Sequence, residues 1–158
     1  MAFKRNTKRN LASIEIVSVN DDAIDTEKSD LEEYKKTGEL KHLVFVPGAQ
    51  PTRFLCNFEV QAKHGAAIKN GMLAGRDESG DPQVTLGTWA HRVVKYTLKG
   101  ITNPDSMSEE DRFVFKTDEH QMVHDDLLGA LDRHGVVDEI FGFYTKLALG
   151  GAKDNAKN

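Results

Sequence analysis

The chain has one cysteine, Cys56, so no disulfide within it can brace a fold. That thiol sits between Leu55 and Asn57 in a strand-like run, with nothing beside it in sequence to lower its pKa. Small buried filler fits it better than a nucleophile. No apolar run approaches the roughly 18 to 20 residues that a membrane-crossing helix needs, and the start lacks the apolar segment of a secretion signal. The expectation is a soluble protein made in the cytosol, with no membrane partner. A basic surplus is missing too: the net charge is -4, whereas a dedicated nucleic-acid binder carries excess Lys and Arg to neutralise phosphates. Catalytic signatures are absent as well. There is no G-x-x-x-x-G-K-[ST] phosphate loop, no G-x-G-x-x-G after a strand and no serine in a G-x-S-x-G elbow, and Gly71, Gly75 and Gly80 make none of these. The reading is a chain without a catalytic centre, a cofactor or a metal.

What is present points to association. At 158 residues the sequence suits one domain with a single core, flanked by tails. Charge is uneven along it: "KRNTKRN", Lys4 to Asn10, holds four basic residues and no acid, while "DDAIDTEKSDLEE", Asp21 to Glu33, is strongly acidic. The first ten residues read as a mobile basic arm and residues 150–158, "GGAKDNAKN", as a mobile tail, leaving a single domain over 11–149. As an alternative, the arm belongs to a nucleic-acid-binding module.

The fold class expected is α+β, with a small N-terminal antiparallel, hairpin-like β element followed by a mainly helical C-terminal half. "LASIEIVSV" is rich in β-branched residues and reads as a strand; "DTEKSDLEEYKKTG" offers a short helix, acidic then basic, ending at Gly38 and docked lightly by Leu31 and Tyr34. "LKHLVFV" reads as a second β run. Beyond the Pro47-Gly48 turn, "TRFLCNFEV" places Phe54, Cys56, Phe58 and Val60 on one face of an extended chain and Arg53, Asn57 and Glu59 on the other. The strand either continues to Val60, the favoured reading, or yields to a helix capped by Asn57; a helix ending near Leu73 comes next, then an exposed polar loop, "AGRDESGDPQ". Leu86, Trp89, Ala90, Val93, Thr97 and Ile101 recur at helical steps and predict a helix stopped by Gly100 and "NPD".

Two helices are expected to close the chain. Asp118 with Gln121 three residues on stands in capping-box position, ahead of a face made by Val123, Leu127 and Leu131. After His134-Gly135, the stripe Val137, Ile140, Phe141, Tyr144, Leu147 and Ala148 predicts the last helix, its start acidic and its end basic as the helix dipole favours. His120 and His124 lie four apart in "EHQMVHDD", but the glutamate precedes the first histidine and no third ligand is spaced to join them, so a surface pair is expected and not a zinc site. His42, His64, His91 and His134 are scattered. Trp89 reads as core or interface anchor. Phe143 lies off the Ile140 and Tyr144 line, so the final helix carries aromatic residues on a second face, which serves either a partner or a core packed from two sides. Trp89, Phe141, Phe143 and Tyr144 are the candidate partner contacts.

In its order of elements the sequence resembles the tail assembly chaperones of long-tailed bacteriophages and related small tail-module proteins. The likeness runs from about Asp30 to Leu149. It rests on the front "DLEEYKKTGELKHLVFVPGAQPTRFLCNFEV", the helix "WAHRVVKYTLKGITNPD" and the closing "LLGALDRHGVVDEIFGFY". The family is known by this order and not by a catalytic string, so no site residue transfers. The resemblance implies a protein acting in the host cytoplasm during tail assembly, which binds the tape measure protein and keeps it soluble until tube subunits polymerise around it. It further implies contact with the tail tube protein, self-association, and a longer frameshifted form sharing the N-terminal domain. The basic arm and the "AGRDESGDPQ" insertion depart from the pattern and fit a structural tail or head-to-tail connector protein instead.

Overall fold

The computed structural model describes residues 9–59, 75–76, 82–83 and 86–149, with side chains described for all of these except 75–76, 82–83 and 86–88. The arm before Arg9, the helix expected to end near Leu73 and the tail after Leu149 lie outside the described residues. In chain order the elements are β1 (Ile14–Ile16), α1 (Leu31–Thr37), a 3-10 turn (Leu40–His42), β2 (Arg53–Cys56), β3 (Gly75–Arg76), β4 (Pro82–Gln83), α2 (Leu86–Thr97), β5 (Leu98–Thr102), α3 (Asp125–Arg133) and α4 (Val136–Tyr144). A π-helical turn, Thr145–Leu149, prolongs α4.

The class is α+β, as expected, but the strands are not an N-terminal hairpin. An antiparallel three-stranded sheet has the order β1-β2-β5, so its last strand comes from the second half of the chain and α1 lies between the first two. Alternation sets which side is buried. Ile14, Ile16, Phe54 and Cys56 point into the core, each at most 1 % exposed, while Glu15 and Leu55 face outward in the register Glu15 opposite Leu55. On that outer face Arg53 and Glu15 form an ion pair at 3.1 Å.

The central position of β2 explains why "LVFV" is not a sheet strand. Both edges of β2 are taken, by β1 and by β5, so the run before Pro47 has no place beside it. Leu40–His42 forms the 3-10 turn, and the extended residues after it make a single bridge, Phe45 to Ile24, flanked by Asp25 N–H to Val44 C=O and Val46 N–H to Ala23 C=O, both 2.8 Å. A second correction concerns α2, which ends at Thr97 and passes directly into β5. Ile101, expected on the helix stripe, sits opposite Phe54 in the sheet. Apolar spacing alone cannot separate a helix that continues from one that turns into a strand with the same side buried. The polar stretch from Ala74 to Gln83 also differs from a plain loop: Gly75 and Arg76 pair with Gln83 and Pro82 as the two-residue strands β3 and β4.

α1 follows its sequence signals closely. Asp30 accepts from the Glu33 N–H at 3.2 Å, and Gly38 closes the helix in the left-handed region at φ 64°, its N–H donating to the Tyr34 carbonyl. An added Cβ at Gly38 would meet Phe143 at 3.2 Å, so backbone conformation and crowding both favour glycine. Tyr34 does more than dock the helix lightly, for it is fully buried. Its hydroxyl donates to the Val17 carbonyl at 2.7 Å and accepts from the Val17 N–H at 2.9 Å, closing the end of β1. With no water reaching it, its pKa is pushed up by burial.

The helical corner is where the sequence placed it, with one shift. Asp118 does not cap α3; its Oδ1 accepts from the N–H groups of His120 and Met122, shaping a turn in which Gln121 adopts a positive φ and Thr117 bridges to Val123. The cap is His124, whose Nδ1 accepts from the Asp126 N–H at 3.1 Å. Asp118 and His124 are both competent acceptors, and the Thr117 to Val123 bridge holds the residues between them out of helical geometry. Val123, Leu127 and Leu131 are nevertheless all buried, and after Gly135, at φ 74°, α4 begins. α4 is the hub of the helical layer, packing on α1, α2 and α3, with Val137 and Ile140 fully enclosed.

Candidate functional site

The last four residues of α4, Phe141 to Tyr144, carry three aromatic rings, and the fold sends them in three directions. Phe143 turns to α1 and meets the ring of Tyr34 edge-on, centroids 5.2 Å apart. Tyr144 turns to the sheet side and meets Phe58 edge-on at 5.7 Å. Phe141 turns to α2 and meets Trp89 edge-on at 5.0 Å. Such pairs are the favoured arrangement of ring quadrupoles and add about 0.5–1.5 kcal/mol beyond burial.

Exposure separates the three. Phe143 and Tyr144 are 5 % and 2 % exposed, parts of the hydrophobic core, so a folded chain does not offer them to a partner. Trp89 and Phe141 are only half-buried and pack against the core from outside. Of the four candidate contacts, the structure thus brings Trp89 and Phe141 together on the α2 and α4 surface and uses the other two to hold α4 in place. The off-stripe position of Phe143, the sign of a second aromatic face, is filled from within by α1.

Around this helix lie two clefts that the linear sequence did not reveal, because each is assembled from separated segments. One, of about 260 Å³, is lined by Val19, Lys35, Asp138, Glu139, Phe143 and Lys146, among others. Here Glu139 links α4 to the chain leaving β1, accepting from the Ser18 hydroxyl at 2.6 Å and the Val19 N–H at 2.9 Å. Burial pushes its carboxyl above the ordinary range, outweighing those two hydrogen bonds and the charge of Lys35. Lys146 Nζ donates to the Lys35 carbonyl at 2.8 Å, and Arg9 donates to the carbonyls of Thr37 and Gly38, so cations gather at the C-terminal end of α1 as its dipole favours. The other cleft, of about 240 Å³, opens on the far side of Ser18, between Asp21, Thr52, Phe113 and His134.

Of the described histidines His134 lines the second cleft, and neither the others nor the thiol line either one. His120 is exposed and His124 is committed to its cap, and among the described residues no group of three or more His, Cys, Asp or Glu side chains is placed to hold a metal ion. His91 stands 3.6 Å from Asp132, and the ring of His134 meets that of Phe113 edge-on at 5.3 Å. Cys56 is completely enclosed, which raises its thiol pKa through desolvation. Among the described residues no helix is long and apolar enough to cross a membrane. No family model, curated protein or solved structure matches the chain.

Proposed function

We propose that this chain is a protein-binding assembly factor that acts without catalysis, a tail assembly chaperone of a long-tailed bacteriophage that holds the tape measure protein soluble while the tail tube forms. The observation that carries the reading is the Trp89 and Phe141 pair, half-buried on the surface shared by α2 and α4. It presents aromatic area to a partner without the core having to open, and tryptophan and phenylalanine are residue types enriched at the centres of protein interfaces. The order of elements from Asp30 to Leu149 supplies the choice of client. In mechanism the chain shields apolar stripes of a long helical client reversibly, many copies acting along one chain so that weak single contacts combine.

Co-expression of the phage's tape measure protein with and without this chain tests the reading. A client that moves from the insoluble to the soluble fraction when the chain is present, with the chain missing from finished particles, is the expected result. A client whose solubility is unaffected contradicts it, and retention of the chain in purified virions favours a structural tail or connector protein.

A further inference from the structure

We propose that the cleft beside Ser18 is a receptor for one cationic side chain, an arginine or lysine presented by a partner protein. Its inner wall is apolar: Phe54 and Val136 are buried in the core, and Phe113 leans on Phe54 at 5.7 Å between centroids. That wall is preformed, since Asn103 clamps the Phe113 backbone from both sides, Nδ2 donating to the carbonyl at 2.8 Å and Oδ1 accepting from the N–H at 3.1 Å. Asp21 and Asp22 line it as well, and among the described residues no lysine or arginine does. Asp21 is held in place by the N–H groups of Ala23 and Thr52, both 2.9 Å away, while Asp22 is exposed. Among the described residues neither carboxylate has a Lys or Arg ion-pair partner.

Charge and shape together select the occupant. An aliphatic or guanidinium side chain buries its stem against apolar and aromatic surface while its head stays at the wet, charged mouth, and Arg adds attraction to ring faces. At about 240 Å³ the space is below the range of pockets that enclose whole cofactors or drug-sized molecules, so one side chain is the fitting size. The cleft on the other side of Glu139 is the internal contrast. Its carboxylates, Asp138 and Glu139, share their walls with Lys35 and Lys146, leaving no uncompensated sign. This receptor lies apart from the Trp89 and Phe141 surface, so its existence does not depend on which client that surface holds.

The probe is N-acetyl-arginine amide, titrated into the isotope-labelled full chain and followed by amide NMR, with N-acetyl-citrulline amide as the uncharged isostere. The expected result is saturable binding of the arginine probe, with a dissociation constant on the order of millimolar for so small a contact, centred on Asp22, Phe113 and His134. Citrulline should bind at least about tenfold more weakly, and Asp22→Lys, an exposed change that leaves the fold intact, should weaken the arginine probe by a similar factor. Equal binding of the two probes, shifts located elsewhere, or an undiminished response in Asp22→Lys overturns the proposal. So does much tighter probe binding after removal of residues 1–8, because the chain's own basic arm would then be the occupant.

Discussion

The aromatic pairs on the two sides of α4 are alike in geometry and opposite in exposure. Tyr34 with Phe143 is sealed inside, whereas Trp89 with Phe141 sits at the surface at nearly the same ring separation. The same chemistry therefore does two jobs. On the α1 side it fixes the position of α4, and the ring edge is joined by a hydroxyl that satisfies both polar groups of Val17. On the α2 side it leaves apolar area in contact with solvent. The difference predicts that the inner pair is felt in stability and the outer pair in binding.

The largest expected effect is on Phe143. Phe143→Ala should lower unfolding free energy by about 3–5 kcal/mol, as a large-to-small change in a packed core does, while Phe141→Ala should cost clearly less. Urea melts of both variants check this, and equal losses would erase the distinction between the two sides. Next comes Tyr34→Phe, which keeps the ring contact but strands the buried N–H and carbonyl of Val17; a loss of about 1–3 kcal/mol is expected by the same measurement.

Glu139 gives a smaller effect with a definite sign. Its folded pKa is raised above the ordinary 4.5, so the proton is bound more tightly in the native chain than in the unfolded one. The resulting stabilisation is fully present below about pH 4.5 and disappears as pH rises through the raised value. Relative to the non-titrating Glu139→Gln, the native chain should thus lose stability as pH is raised across that window, and a native chain that instead gains stability relative to the variant as pH rises would contradict the assignment. The smallest effect belongs to Thr97, whose buried Oγ1 has no hydrogen-bond partner among the described residues. Thr97→Val should leave stability within about 0.5 kcal/mol or raise it, because nothing is lost by removing an unpaired buried hydroxyl. A marked destabilisation would point to a partner for that oxygen.

Local signals were legible where they act locally. The Asp30 cap, the Gly38 stop, the alternation of Phe54, Cys56 and Phe58, and the corner at Gly135 could all be read from neighbouring residues, because each is enforced within a turn or along one strand. What could not be read depends on distant partners. "LVFV" has strand composition, yet β5 fills the remaining edge of β2, and nothing near Leu43 records that. The candidate site was half legible for the same reason. Trp89 and Phe141 lie on predicted stripes, but whether Phe143 faces a partner or the core was decided by α1, more than a hundred residues earlier. The cleft beside Ser18 is drawn from four stretches of the chain and had no sequence signature.

The most direct test of the account is the affinity of a purified helical tape measure segment for Trp89→Ala and for the native chain, measured by calorimetric titration with far-ultraviolet circular dichroism confirming that both are folded. The account predicts at least about a tenfold weaker complex, as loss of a central aromatic anchor produces. An unchanged affinity in a folded Trp89→Ala protein would contradict it.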